Sequence, residues 1–186
     1  MEGVQEIGKA GRHLLELINE ILDLSRIESG KLNVNIDKVL LRPLAEECLS
    51  IVADHAAKSD LELSLAMPDD LPVWGDAIRL KQVVLNLLSN AVKYNRPGGR
   101  VDLSAGPADA RGMVRIEVRD TGQGIPADKQ DQLFKPFERL NNEFSGIEGT
   151  GIGLTITRQL VHLMHGDIGL DSTLDVGTTF WIELPG

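Results

Sequence analysis

Two carboxamides and a lysine stand out in the stretch NLLSNAVKYN, residues 86–95. Asn86, Asn90 and Lys93 are spaced so that on a helix they share one narrow face, whereas apolar residues fill most of the rest. A largely apolar helix is normally buried, so this polar stripe must either meet a neighbouring element or line a cavity. Amide oxygens are suitable ligands for Mg²⁺, and the lysine would add positive charge for phosphates. The residues alone leave both interpretations open.

A carboxylate at the end of a predicted strand is the second chemical feature. The stretch MVRIEVRD, residues 113–120, alternates apolar side chains onto one face, and Asp120 continues that alternation. Its carboxylate should therefore point inward, where it needs hydrogen-bond donors. Gly122 and Gly124 follow and would permit a sharp turn and the close approach of a flat group. An aspartate that accepts hydrogen bonds from its own turn is the alternative.

The third feature is the stretch EGTGIGL, in which glycines 149, 151 and 153 lead into an amphipathic helix. Alternating glycines expose consecutive backbone amides at a helix N-terminus, which is a potential anion site. The stretch is not a P-loop, because no Gly-Lys-Ser/Thr follows, and it lacks the preceding strand and downstream acid of a dinucleotide-binding fingerprint. A flexible connector is the alternative.

The elements that must position these residues follow from the hydrophobic periodicity. Helices are predicted over 4–28, 42–59, 77–94 and 151–166, and strands over 31–37, 61–67, 73–76, 100–106, 113–120, 167–173 and 178–185. This irregular alternation favours an α/β two-layer sandwich of a mixed sheet packed on helices, preceded by a long N-terminal helix. Residues 121–150 interrupt the pattern with glycines and polar residues, and so long an irregular segment is usually functional.

The predicted N-terminal helix carries a heptad-like apolar seam. Its two rows are Ile7, Leu14 and Ile21, and Ala10, Leu17 and Leu24. A single helix cannot bury this face alone, so we expect a partner, most simply a second copy of the chain.

Composition limits the classes of partner. The 186 residues have a formal net charge of −9, which argues against a general nucleic-acid or anionic-membrane surface but leaves a polyanion in a local pocket possible. A single cysteine, Cys48, excludes an intrachain disulfide and fits a reducing compartment. With no apolar run of membrane-spanning length and no signal peptide, we expect a cytoplasmic protein with no membrane contact and no nucleic-acid partner.

Taken together, the motifs resemble the catalytic ATP-binding domain of sensor histidine kinases over residues 31–186. The segment QVVLNLLSNAVKYN is similar to the asparagine box, DTGQGIP to the first glycine box, LFKPFERL to the phenylalanine box and EGTGIGL to the second glycine box. The terminal GTTFWIELP resembles the closing hairpin of that family. The fold implied is the Bergerat ATP-binding fold, which gyrase, mismatch-repair ATPases and a heat-shock chaperone share.

The resemblance implies ATP and Mg²⁺ as cofactors. Asp120 would accept from the adenine amino group, Asn90 would ligate the metal beside Asn86, and Lys93 and Tyr94 would approach the phosphates and ribose. Residues 123–148 would form a mobile lid, with Phe134 and Phe137 as anchors and with Lys135 and Arg139 reaching phosphate. Thr179 would lie behind the adenine. The resemblance implies that the nucleotide-binding site consists of Asn86, Asn90, Lys93, Tyr94, Asp120, Gly122, Gly124, Ile125, Phe137, Gly149, Thr150, Gly151, Ile152, Gly153, Leu154 and Thr179.

Residues 1–30 resemble the second helix of the dimerisation hairpin of the same family. The phosphorylated histidine belongs to the first helix of that hairpin, and the context GRHLL of His13 does not match its motif. The resemblance therefore implies a protein-histidine kinase that is a homodimer through this helix and passes phosphate to a response regulator receiver domain, while these residues themselves lack the acceptor. A Bergerat-fold ATPase, an anti-sigma-type serine kinase and a non-catalytic nucleotide-binding module remain as alternatives.

Overall fold

The computed structural model describes residues 2–108, 112–136 and 151–186. Within these ranges the helices are α1 (Glu2–Glu28), α2 (Leu41–Lys58), α3 (Ala77–Lys93), α4 (Ala127–Gln130) and α5 (Gly153–Leu163). The strands are β1 (Asp37–Leu40), β2 (Glu62–Ala66), β3 (Pro72–Gly75), β4 (Arg100–Pro107), β5 (Met113–Asp120), β6 (Asp167–Thr173) and β7 (Gly177–Pro185).

The main sheet has the strand order β2-β4-β5-β7-β6. The β2–β4 pair is parallel and the other pairs are antiparallel, so the sheet is mixed. One face packs on α2, α3 and α5, and β1 and β3 form a separate antiparallel pair. The predicted two-layer α/β sandwich of a mixed sheet on helices is confirmed.

The sheet and α3 bury their apolar residues against each other for reasons visible in the sequence. In β5, every second residue from Val114 to Asp120 is buried, as the alternation requires. In α3, the buried residues recur at helical spacing from Leu80 to Val92. The helix begins at an N-cap, Asp76, whose Oδ1 accepts hydrogen bonds from backbone N–H groups. These two elements place Asp120 and the polar stripe of Asn86, Asn90 and Lys93 on the same side of the sheet.

The C-terminal part of α1 packs on the domain, whereas its middle part is exposed. Leu24 is buried, and the carboxylate of Asp23 accepts a hydrogen bond of 3.2 Å from Gln82 and lies 3.9 Å from Arg79. Large apolar side chains farther up the helix are 46% to 60% exposed: Leu14, Leu15, Ile18, Ile21 and Leu22. None of the helices in the described ranges combines the length and apolarity needed to cross a membrane.

The strand predicted over 31–37 is wrong. Residues 31–36 form no regular structure, and β1 covers Asp37–Leu40 instead. The reason is long-range, because β1 pairs with β3, and β3 ends at Gly75, immediately before the cap of α3. The backbone N–H of Asn35 is bonded to the Asp76 carboxylate and not to a strand.

Candidate functional site

Asp120 lies at the end of β5 with 8% of its surface exposed. Its Oδ1 accepts hydrogen bonds from the backbone N–H groups of Gly122, at 2.8 Å, and of Thr178, at 3.3 Å. Both bonds fall on Oδ1, and Oδ2 accepts none from the described residues. The inward orientation predicted from the alternation is confirmed, and the alternative of a turn bonded to its own aspartate is also realised, on one oxygen.

Burial raises the pKa of the Asp120 carboxyl above its ordinary value, and the hydrogen bonds from Gly122 and Thr178 oppose that rise. The described residues donate no hydrogen bond to Oδ2, so they offset only part of the cost of burying this carboxylate. Such a group is suited to accept a hydrogen bond from a ligand.

Two glycines make room for this arrangement. A Cβ on Gly122 would lie 2.4 Å from the carbonyl oxygen of Tyr94, and a Cβ on Gly177, where φ is +137°, would lie 2.1 Å from the carbonyl oxygen of Asp120. Both positions therefore require glycine. Gly177 was missed by the sequence reasoning, although a glycine at the start of the last strand was the available signal.

Thr178, and not Thr179, shares the face of Asp120. The register pairs Asp120 directly with Thr178 and pairs Arg119 with Thr179. Because side chains alternate along a strand, Thr179 points to the opposite face of the sheet. The register therefore places the buried Thr178, and not the predicted Thr179, on the face of the sheet that carries Asp120.

The two asparagines in the polar stripe of α3 differ in their contacts. The Nδ2 of Asn86 donates to the Oγ1 of Thr157 on α5 at 2.8 Å, so this amide crosses to a neighbouring element, as the alternative interpretation proposed. Asn90 lies one turn farther on, half-buried, and its carboxamide makes no hydrogen bond with any residue that the structure describes. Lys93 follows with its Nζ 5.0 Å from the ring centroid of Tyr94.

The N-terminus of α5 abuts this stripe. A Cβ on Gly153 would lie 2.7 Å from the Oδ1 of Asn86, so only glycine allows this approach without a shift. Gly151 has φ +72°, so the helix does not extend back to this residue. The N-cap residue, Ile152, supplies no side-chain hydrogen bond to the first turn. Leu154 packs on the core. The predicted residues Gly149 and Thr150 lie outside the described residues.

The segment after β5 is held against the end of β6. A Cβ on Gly124, where φ is +67°, would lie 2.0 Å from the carbonyl oxygen of Thr173. The backbone N–H of Ile125 donates to the Oγ of Ser172 at 2.8 Å. Gly124 thus packs on protein backbone, and Ile125 joins the edge of the core.

Of the two residues predicted to anchor a lid, the structure describes Phe134. Its carbonyl oxygen accepts a hydrogen bond of 3.2 Å from the Oγ1 of Thr155, and its ring centroid lies 5.7 Å from the guanidinium of Arg158. Lys135 is exposed. Phe137 and Arg139 lie outside the described residues.

Two cavities lie beside these elements and not at Asp120. One, of about 560 Å³, is lined by Ile27 of α1, Phe134 and residues of α5, and the other, of about 320 Å³, by Phe134, Arg158 and residues of β6. Neither lining contains Asp120 or Asn90. Cavity size therefore does not single out Asp120 and Asn90, which are distinguished by the burial of the carboxylate and by a carboxamide that no described residue bonds.

Comparison with known proteins identifies the fold and the relatives. The family model for histidine kinase-, DNA gyrase B-, and HSP90-like ATPases matches residues 75–186. The circadian input-output histidine kinase CikA of Synechococcus elongatus is 40% identical over 99% of this chain and 25% of its own length. The signal transduction histidine-protein kinase BarA of Escherichia coli is 35% identical over 96% of this chain and 20% of its own length. The chain thus spans a quarter or less of these relatives.

Solved structures of histidine kinases have the same fold as this chain. Full-length ShkA in complex with AMPPNP superposes with a TM-score of 0.85 and 30% identity, covering 99% of this chain and 38% of that one. The mycobacterial sensor histidine kinase MprB has a TM-score of 0.71 and 30% identity, covering 82% of this chain and 98% of that one. The chain belongs to the family of histidine kinase-, DNA gyrase B-, and HSP90-like ATPases, and its relatives within that family are histidine kinases.

Proposed function

We propose that this chain binds ATP with Mg²⁺ and, within the whole protein, positions the γ-phosphate for transfer to a histidine that lies outside these residues. Phosphate would then pass to the receiver domain of a response regulator, as in a two-component phosphorelay. Family membership and the binding of AMPPNP by ShkA support the nucleotide, and the relatives named histidine kinases support the reaction. The observation that carries the proposal is Asp120, a buried carboxylate that accepts hydrogen bonds from the described part of the chain on one oxygen and not on the other.

At the base end, Oδ2 of Asp120 accepts a hydrogen bond from the exocyclic amino group of adenine. A charge-assisted bond in a desolvated site contributes more than the same bond in water, which offsets the cost of burying the carboxylate. A Cβ on Gly122 would lie 2.8 Å from Oδ1 of Asp120 and 2.4 Å from the carbonyl oxygen of Tyr94, so glycine at this position lets the turn hold Oδ1 and leaves Oδ2 for the base. Thr178 borders the same face of the sheet.

At the phosphate end, the groups present fit a metal-bound triphosphate. Asn90 offers an amide oxygen without a protein partner among the described residues, which is suitable for Mg²⁺. The first turn of α5 has no side-chain cap, so its backbone N–H groups can donate to phosphate oxygens. Lys93 adds positive charge on the same stripe of α3, and Asn86 keeps α5 in place. When bound, Mg²⁺ would neutralise phosphate charge.

Catalysis in this scheme rests on placement and charge neutralisation, because phosphoryl transfer requires little covalent chemistry from the protein. Asn86, Asn90 and Lys93 are the residues assigned to it. Thr150 and the glycines at 149, 151 and 153 would contribute backbone amides around the phosphates.

We assign residues 1–30 to the second helix of a dimerisation hairpin and residues 31–186 to the catalytic domain. The exposed apolar side chains of α1, from Leu14 to Leu22, support a homodimer, since a face of this kind needs a partner. A cytoplasmic location agrees with the use of ATP and with Cys48, a buried free thiol.

Phosphotransfer in two pieces tests the proposal. The protein is mixed with a separately made hairpin that carries a phosphoacceptor histidine from a relative, with ATP and Mg²⁺, and acid-labile phosphate on the hairpin is measured. We expect transfer by the wild type and none by Asn90→Ala, which should still bind nucleotide. Ser50→Ala, on the exposed side of α2, is the matched control. Free phosphate released without any transfer would favour an ATPase instead.

A further inference from the structure

We propose that Ser172 is a positioning residue for nucleotide binding, an inference that rests on the function proposed above. Its hydroxyl joins the segment that follows β5 to Thr178, the residue whose backbone holds the adenine-binding carboxylate of Asp120.

Three adjacent strands bring these residues into one row. The register pairs Asp120 of β5 with Thr178 of β7, and Thr178 with Ser172 of β6. Directly opposite residues in antiparallel strands project to the same face of a sheet. The row therefore lies on the inner face, at the end of the sheet where Asp120 meets the candidate site.

The hydroxyl of Ser172 has three neighbours. It lies 2.8 Å from the Oγ1 of Thr178 and 3.1 Å from the carbonyl oxygen of Gly177, and it accepts the N–H of Ile125 at 2.8 Å. A serine hydroxyl has one proton and two acceptor sites. Because a carbonyl can only accept, all three contacts are satisfied when Ser172 donates to Gly177 and accepts from the Thr178 hydroxyl and the Ile125 amide. The backbone N–H of the same Thr178 is a separate donor and bonds Asp120.

Gln130 of α4 holds the same segment from the other side. Its Nε2 donates to the carbonyl oxygens of Ile125, at 2.9 Å, and of Ser172, at 3.1 Å. The segment starts at Asp120 and turns through Gly122, whose N–H also bonds Oδ1. Both donors to the carboxylate, from Gly122 and from Thr178, therefore belong to chain segments that Ser172 ties together. Loss of the hydroxyl should let the two donors move apart and reorient the oxygen that faces the base.

The test compares three variants with the wild type for AMPPNP affinity by calorimetry and for amide hydrogen exchange. Ser172→Ala should weaken affinity about threefold to tenfold, as expected for one or two lost hydrogen bonds, and should speed exchange at Ile125. Ser172→Thr retains the hydroxyl and should restore affinity. Thr173→Val removes an exposed hydroxyl from the next position of β6 and should change neither property.

Gln130→Ala keeps the proposal testable if Ser172→Ala folds poorly. It should weaken affinity by a smaller factor, and combining it with Ser172→Ala should cost less than the product of the two single effects, because both act on one segment. Wild-type affinity in Ser172→Ala with faster exchange at Ile125 would overturn the proposal, since the hydroxyl would then be only structural. Equal losses in Ser172→Thr and Ser172→Ala would also overturn it. Failure of the wild type to bind AMPPNP would overturn the proposed function as well.

Discussion

Asp76 directly follows β3, and Asp120 is the last residue of β5. Both carboxylates accept hydrogen bonds from backbone N–H groups. Asp76 uses both oxygens, because Oδ1 accepts from Ile78 and Arg79 and Oδ2 accepts from Asn35. From the residues that the structure describes, Asp120 accepts hydrogen bonds on Oδ1 and none on Oδ2. The difference separates a carboxylate whose capacity is used within the protein from one that keeps capacity for a ligand.

The two helices beside these aspartates differ in the same way. The N-terminus of α3 is capped by the side chain of Asp76, whereas the N-cap of α5, Ile152, offers no side-chain hydrogen bond. A helix N-terminus without a cap leaves N–H groups in need of an acceptor. The capped N-terminus of α3 therefore stabilises the fold. The N-terminus of α5, which has no side-chain cap from Ile152, is the one that we assign to phosphate.

The pKa values of the two carboxyls move in opposite directions. For Asp76, burial acts to raise the pKa, but hydrogen bonds from the backbone of Asn35, Arg79 and Ile78, with the Arg79 charge, lower it below its usual value. For Asp120, burial dominates and raises the pKa. Ionisation of Asp76 therefore stabilises the fold, and ionisation of Asp120 opposes it, which is the usual cost of a functional group in a buried site.

The largest effect expected is that of Asp120→Asn on nucleotide affinity. The asparagine oxygen can keep both hydrogen bonds of Oδ1, but its NH₂ would then face the adenine amino group, donor against donor. We expect AMPPNP affinity to fall about 100-fold, from the loss of a hydrogen bond to a charged group. Calorimetry measures this, and thermal unfolding should show an apo-protein at least as stable as the wild type. Near-normal affinity would remove Asp120 from the site.

Asp76→Ala should give the reverse pattern. Loss of the N-cap should lower the free energy of unfolding by about 1–2 kcal/mol, while AMPPNP affinity of the folded protein stays unchanged. Urea denaturation followed by circular dichroism gives the stability. Asp54→Ala, on the exposed face of α2, is the control and should change stability by less than about 0.5 kcal/mol. A loss of affinity without a loss of stability would break the contrast between the two aspartates.

Gly153→Ala probes the open helix end. The new Cβ would meet the Oδ1 of Asn86 at 2.7 Å, which strains the Asn86–Thr157 hydrogen bond or displaces the start of α5. We expect a net destabilisation of about 1 kcal/mol, because overpacking exceeds the gain in helix propensity. Asn86→Ala in the same chain should relieve the clash, and an additive double variant would contradict this.

The smallest effect expected is on the pH dependence of stability. The stabilisation from Asp76 is present above the ordinary value of 3.8 and is lost as the pH falls through its lowered pKa. The contribution of Asp120 to stability depends on pH in the opposite way. It is fully present below pH 3.8, the ordinary pKa, and is lost as the pH rises through its raised pKa. The stability advantage of Asp120→Asn should therefore grow as the pH rises from 3.8, whereas Asp76→Asn should lose most near neutral pH. Urea titrations at several pH values measure both, and parallel curves would contradict the assignment.

Local patterns predicted much of this arrangement. The inward position of Asp120 and the polar stripe of α3 follow from periods of two and of about 3.6 residues. Long-range pairing decided the rest, because the β5–β7 register selects Thr178 over Thr179 and the β1–β3 pairing moves the first strand to Asp37. The bond from Asn86 to Thr157 likewise joins residues that are distant in sequence. The cap at Asp76 was missed although its signal, an aspartate just before an apolar helical run, is local.

A crystal structure of the protein soaked with AMPPNP and Mg²⁺ tests the central claim most directly. We expect the adenine amino nitrogen about 3 Å from the Oδ2 of Asp120, as in an ordinary hydrogen bond, with the metal on the amide oxygen of Asn90. A nucleotide bound with its base away from Asp120, or with its metal held elsewhere, would contradict the account.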